Sequence, residues 1–129
     1  MIEKFTQSQE TLYCQPRPPI RERPLISDEQ AAEVAALFKV LSNNTRLRMI
    51  HALVIAGEMT VSQLAETVAM KPQAVSNQLQ RLVDRRILNS RRSGNNIHYR
   101  IVDPCVTSLL DLGLCLIEET KEKNNPKHH

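Results

Sequence analysis

Between Thr60 and Val102 the chain reads TVSQLAETVAMKPQAVSNQLQRLVDRRILNSRRSGNNIHYRIV, and few folds accommodate that order of signals. Thr60 with Gln63 has the spacing of a capping box, in which side chain and backbone satisfy each other's donors at a helix start. Val61, Leu64, Ala65 and Val68 follow at helical spacing, so a short helix buries one apolar stripe. Ala69, Met70 and Lys71 form a three-residue break. Pro72 has the fixed φ suited to a first helical position, and a second helix runs from it through Leu82. On that helix Val75, Leu79 and Leu82 turn inward. Ile87 to Ser90 and Ile97 to Val102 then have strand composition. They bracket Arg91, Arg92, Ser93, Gly94, Asn95 and Asn96, where the glycine and asparagines supply a turn.

Two helices across a tight break, followed by a hairpin, are the layout of a winged helix-turn-helix: mostly α, with a small β-hairpin wing. Off its apolar stripe the second helix carries Gln73, Ala74, Ser76, Asn77, Gln78 and Gln80. An ordinary surface helix carries more Glu and Lys, whereas these polar side chains can donate to and accept from base edges or phosphates. Charge is concentrated in the same region. Lys71, Arg81, Arg85, Arg86, Arg91, Arg92 and Arg100 face one acid, Asp84, although the whole chain has a net charge of only +3. From Asp103 to Glu122 the balance reverses, with Asp103, Asp111, Glu118, Glu119 and Glu122 against Lys121. A basic block on this layout points to double-stranded DNA. The expected contacts are Gln73, Ser76, Asn77, Gln78 and Arg81 on the helix, with Arg91 and Arg92 near the wing tip for phosphate or the minor groove. Tyr99 and Ile101 are expected to pack back on the domain, and His98 to be structural or close to DNA.

Upstream, Ser27 and Gln30 make another capping box. It opens a helix over about 27–41 whose stripe of Ala31, Val34, Ala35, Leu37, Phe38 and Leu41 faces the core or a partner. Asn43 can cap a further helix carrying Leu47, Met49, Ile50, Leu53 and Val54 and stopping at Gly57; His51 on it reads as a packed or surface residue. The expected organisation is a Pro-rich, poorly ordered arm over 1–26, one domain over 27–122 and a tail over 123–129. No run approaches the roughly 18 apolar residues of a membrane span, and the N-terminus lacks an apolar signal stretch, so a soluble, cytoplasmic protein is expected. The three cysteines, Cys14, Cys105 and Cys115, lack the spacing of a disulfide scaffold and fit a reducing compartment. Catalysis is not expected: no nucleophile, base and orienting group recur at recognisable spacing, and no Gly-rich phosphate loop is present.

The segments LSNNTRLRMIHAL, VSQLAETVAMKPQAVSNQLQRL and RRSGNNIHYRI together resemble the ArsR/SmtB family of winged-helix repressors over about residues 30–120. The resemblance implies a homodimer joined through its first and last helices, reading a two-fold symmetric operator and releasing it when an inducer binds. By position Ser76, Asn77 and Gln78 fall where the family places its major-groove readers, and Arg91 and Arg92 fall in its wing.

The chain departs from the family at both common sensing sites. Many metal sensors carry a cysteine pair in the third helix, in a motif such as ELCVCDL; here the matching stretch is Glu58 to Leu64, without cysteine. Others bind zinc between paired C-terminal helices through an Asp, two His and a Glu. Asp103 and Glu119 fit that spacing, but Cys105 and Leu116 stand where the histidines would be. Cys105 and Cys115 lie about 15 Å apart along one helix, too far to share an ion within a subunit. Antiparallel pairing of the last helices, as the family implies, brings Cys105 of one chain towards Cys115 of the other, with Cys14 as a candidate third sulfur. Thiolates select soft ions such as As(III), Cu(I) or Cd(II), and the carboxylates of Asp103 and Glu119 would help Zn(II). The same thiols could instead answer oxidative or sulfur stress through a disulfide or polysulfide, or they could simply be buried in an apolar helix. A winged-helix module that binds protein partners without reading DNA is the other class of function. His128 and His129 support no ligand assignment.

Overall fold

In the computed structural model, which describes residues 17–123, the first four α-helices start where the spacing marks them. Helix α1 (Asp28–Leu41) opens on the Ser27 box: Gln30 N–H donates to Ser27 Oγ at 3.1 Å, and Ser27 N–H donates to Gln30 Oε1 at 3.0 Å. Helix α2 (Asn44–Ala56) is capped by Asn43, whose Oδ1 accepts from Arg46 N–H at 3.0 Å. It ends at Gly57 with φ 85, a conformation that a β-carbon would strain. Helix α3 (Val61–Val68) repeats the box through Thr60 and Gln63, at 3.2 and 2.9 Å. Each such cap contributes about 1 kcal/mol. Ala69 turns the chain in the left-handed region, and Pro72 is the first residue of α4 (Pro72–Asp84). That helix runs two residues beyond the apolar pattern, where Gln80 Nε2 donates to Asp84 Oδ1 at 2.8 Å.

Three strands, β1 (Met59–Thr60), β2 (Leu88–Ser93) and β3 (Asn96–Ile101), form an antiparallel sheet in the order β1-β3-β2. The architecture is the expected one, with two differences in the sheet. Strand β1 was not expected: at two residues it has no alternation to detect, and it forms because the edge of β3 offers Tyr99 and His98 as partners. Strand β2 also runs three residues further towards the turn than expected, and β3 keeps its expected length but is shifted by one residue. The ladder continues to the Ser93–Asn96 pair, leaving only Gly94 and Asn95 as the turn. A positive φ of 64 at Gly94, with none at Asn95, matches a two-residue type II′ hairpin turn, which needs glycine first. Arg91 and Arg92 therefore lie within β2 rather than at the tip.

Helix α5 (Pro104–Lys123) begins after Asp103, whose Oδ1 accepts from Cys105 N–H at 2.9 Å while Pro104 takes the first position. The core is built by Met49, Ile50 and Leu53 of α2, Leu64 of α3 and Val75, Leu79 and Leu82 of α4, all fully buried. Tyr99 is buried and Ile101 half-buried, as expected for strand residues packing back on the domain. The outer helices differ. Helix α1 buries only Leu41, and Phe38 is 51% exposed; α5 buries only Val106. Between α1, α2 and α5 runs an apolar groove of about 300 Å³, lined among others by Phe38, Leu41, Leu47, Val106, Leu110 and Ile117. Within the expected arm, Ile20–Glu22 forms one exposed turn of 3-10 helix. The rest of that arm through residue 16, with Cys14, and the tail from residue 124, with His128 and His129, lie outside the described residues. Among the described residues no helix is long and apolar enough to cross a membrane.

Candidate nucleic-acid interface and thiol groups

Helix α4 presents two unlike faces because its apolar residues recur at three- and four-residue spacing. Val75, Leu79 and Leu82 are buried, while Gln73, Asn77, Gln80 and Arg81 are exposed and Ser76 and Gln78 are half-buried. Gln73 Nε2 donates to Asn77 Oδ1 at 3.2 Å, which leaves the Asn77 amide hydrogens for an outside acceptor. Gln78 differs from the sequence expectation of a side chain turned wholly outward. Its Oε1 accepts from Arg46 Nε at 2.6 Å, so half of its amide is already engaged by α2.

In the wing, side chains alternate between faces and cross-strand pairs share one. Arg92 pairs with Ile97 and Ser90 with buried Tyr99, whereas Arg91 pairs with His98 and Asn89 with Arg100. Arg91 and Arg92 thus project to opposite faces. Lys71, Arg81, Arg85, Arg86, Arg91, Arg92 and Arg100 are all exposed, so the whole basic block is at the surface.

Arg91 is not an unattached cation. Its Nε donates to Glu58 Oε2 at 2.8 Å and an Nη donates to Glu58 Oε1 at 2.9 Å, a bidentate pair between the residue before β1 and the wing. Sequence reasoning missed this contact because 33 residues separate the partners. The hydrogen bond from Arg91 holds the Glu58 carboxyl below its ordinary range, helped by the nearby charges of Arg91, His98 and Arg100, and the same pairing raises Arg91. A carboxyl depressed in the folded state contributes stability that is present above its unfolded pKa and lost as pH falls through the folded value. Glu58→Gln should therefore lower the melting temperature slightly at neutral pH and make no difference below the carboxylate range. Thermal scans of both proteins at the two pH values check this; an equal difference at both would contradict it. The effect is small because the pair is solvated.

The expected sensing residues occupy α5 and its cap. Asp103 spends one carboxylate oxygen on the helix N-terminus. The pairing of Asp103 with a following Pro104 is a cap signal that was readable in the sequence. Cys105, in the first turn, is half-buried and disulfide-bonded, whereas Cys115 is a free, exposed thiol and Glu119 is exposed one turn further on. Cys105 and Cys115 stand about 15 Å apart along the axis. Among the described residues of one chain, no three His, Cys, Asp or Glu side chains gather where they could hold a metal ion.

Comparison with known proteins gives this geometry a family. Residues 41–91 match the model of a helix-turn-helix domain. The chain is 61% identical to the AntR antimony-specific transcriptional repressor, whose crystal structure superposes with a TM-score of 0.73, covering 85% of this chain and 99% of that one. It is 31% identical to a homodimeric winged helix-turn-helix DNA-binding domain from Mycobacterium bovis, a possible ArsR-family regulator, with a TM-score of 0.67 over 83% of this chain and all of that one. A transcriptional repressor SmtB homolog from Synechocystis is 35% identical over 85 residues, which are 66% of this chain and 64% of that repressor's length. The chain belongs to the ArsR/SmtB family of winged helix-turn-helix transcriptional repressors.

Proposed function

We propose that the protein is a homodimeric, cytoplasmic repressor that reads a two-fold symmetric operator with α4 and the wing. It releases that operator when a soft metalloid, Sb(III) or As(III), binds cysteine thiolates at the C-terminal helices. The observation that carries the DNA half is the polar outer face of α4 beside an exposed basic block, on a scaffold shared with repressors. Gln73, Ser76, Asn77, Gln78 and Arg81 contact base edges or phosphates, and Arg92 and Arg91 contact the backbone from opposite faces of the wing. Outward apolar residues on α1 and α5, with the groove between them, supply a subunit interface.

The 61% identity with an antimony-specific repressor favours a metalloid over Zn(II), Cd(II) or Cu(I). The donor chemistry agrees, since thiolates prefer soft ions. Distance along α5 prevents Cys105 and Cys115 of one chain from sharing an ion. With the last helices paired antiparallel, as the family resemblance implies, the site joins Cys105 of one subunit to Cys115 of its partner, with Cys14 as a candidate third sulfur. Asp103, committed to the helix cap, supports Cys105 from behind rather than supplying a ligand, and Glu119 lies at the edge of the site. A second reading has support in the disulfide state of Cys105: oxidation of that thiol is itself the signal.

DNA binding is tested by titrating an inverted-repeat operator and a scrambled duplex over a range of salt. Affinity should fall steeply with salt, as phosphate contacts require. Asn77→Ala should lower discrimination between the two duplexes by about tenfold, one base contact being worth of that order. Equal affinity of the wild type for both duplexes would overturn the reading.

A further inference from the structure

Arg46 occupies a junction. Its backbone N–H is taken by the Asn43 cap, its Nε donates to Gln78 Oε1 at 2.6 Å, and Nη1 donates to the Val40 carbonyl at 2.7 Å. Val40 lies in the last turn of α1, where carbonyls have no partner within the helix. One half-buried guanidinium therefore spans the end of the outward-facing α1, the start of α2 and the flank of α4.

The contact also decides how Gln78 is presented. A guanidinium only donates, so the amide must turn its oxygen towards Arg46 and its NH₂ away from α2. The reversed amide would set donor against donor at 2.6 Å. A glutamine that recognises adenine uses both amide atoms, accepting from N6 and donating to N7. With Oε1 turned to Arg46 and one of its two lone pairs used there, Gln78 directs its amide hydrogens away from α2, and these suit guanine O6 or N7 and thymine O4.

We propose that Arg46 is a positioning residue for sequence recognition: it fixes the Gln78 amide with its hydrogens turned away from α2, as a reader of base acceptors, and ties that reader to the end of α1. The proposal rests on the reading that α4 faces the major groove. It makes base preference depend on a residue that itself touches no base.

The experiment measures affinity for a panel of operators in which each base pair of one half-site is exchanged in turn, at fixed salt. The proteins are the wild type, Gln78→Ala, Gln78→Glu, Arg46→Lys, Arg46→Met and the Arg46→Met/Gln78→Ala double variant. Gln78→Ala should flatten preference at one position by about tenfold. Gln78→Glu keeps an oxygen for Arg46 but loses the outward hydrogens, so it should lose preference at that same position. Both Arg46 variants should lose or change preference there and nowhere else, and the double variant should go no further than Gln78→Ala. A merely structural Arg46 would lower affinity equally across the panel. Arg46 variants that keep the wild-type preference at the position Gln78→Ala flattens would overturn the proposal, as would a Gln78→Ala profile identical to wild type. A wild type that discriminates at no position would instead overturn the DNA-reading function on which the proposal rests.

Discussion

Replacing Leu112 and Leu116 together by glutamate is expected to leave a folded monomer whose affinity for the full operator is lower by about 10²-fold or more, the scale gained by linking two binding modules. Leu112 is 65% and Leu116 66% exposed in the single chain, so neither supports its core. A soluble monomer has little reason to display Leu109, Leu112, Leu114, Leu116 and Ile117 on one 20-residue helix beside a half-exposed Phe38. Four buried carboxylates across a two-fold axis would repel strongly. Sedimentation should show the monomer, circular dichroism an unchanged helix content, and the operator titration the loss of affinity. A dimer with wild-type affinity would remove α5 from the interface.

Leu79→Ala should destabilise the protein by about 2–5 kcal/mol, the usual range for truncating a fully buried leucine. Leu79 is 0% exposed and lies on the inner side of α4 between Val75 and Leu82, in the same buried cluster as Leu64 and the α2 core residues. The resulting cavity would lie directly beneath the face that carries Gln73, Ser76 and Asn77. Operator affinity should therefore fall along with stability. Gln80→Ala, one residue on and solvent-facing, should stay within about 0.5 kcal/mol. Denaturant midpoints at one fixed protein concentration make the comparison, because dimerisation couples stability to concentration. Similar midpoints for the two variants would contradict the placement of the core.

The helices were legible because their signals are local. Ser27, Asn43, Thr60 and Pro72 each start a helix from chemistry within three residues, and the buried positions of α2 and α4 follow a single period. The parts that sequence reasoning missed are held by distant partners. Strand β1 exists only because β3 offers an edge, Glu58 meets Arg91 across 33 residues, and Arg46 meets Gln78 across 32. Of the residues proposed to contact DNA, the outward set on α4 was readable from its spacing. The opposite orientations of Arg91 and Arg92 were not, because they depend on where the hairpin turn falls. Had Gly94 been read as the first residue of a two-residue turn, the strand register would have followed. The thiols illustrate a different limit. Their spacing excludes a site within one helix, but a site between subunits depends on the pairing of two chains.

With DNA reading proposed in α4 and the wing and sensing proposed in α5, the inducer would act by changing how the two subunits are held. The direct measurement is a titration of the operator complex, under reductant that keeps Cys105 a thiol, with Sb(III), As(III), Cd(II) and Zn(II). Wild type, Cys105→Ser and Cys115→Ser are compared. The expected result is release of the wild type by Sb(III) and As(III) at concentrations where Zn(II) has no effect. Both variants should bind the operator normally and need at least about tenfold more metalloid, as loss of one thiolate ligand implies. Release of both variants with the wild-type dose response would contradict sensing at these thiols.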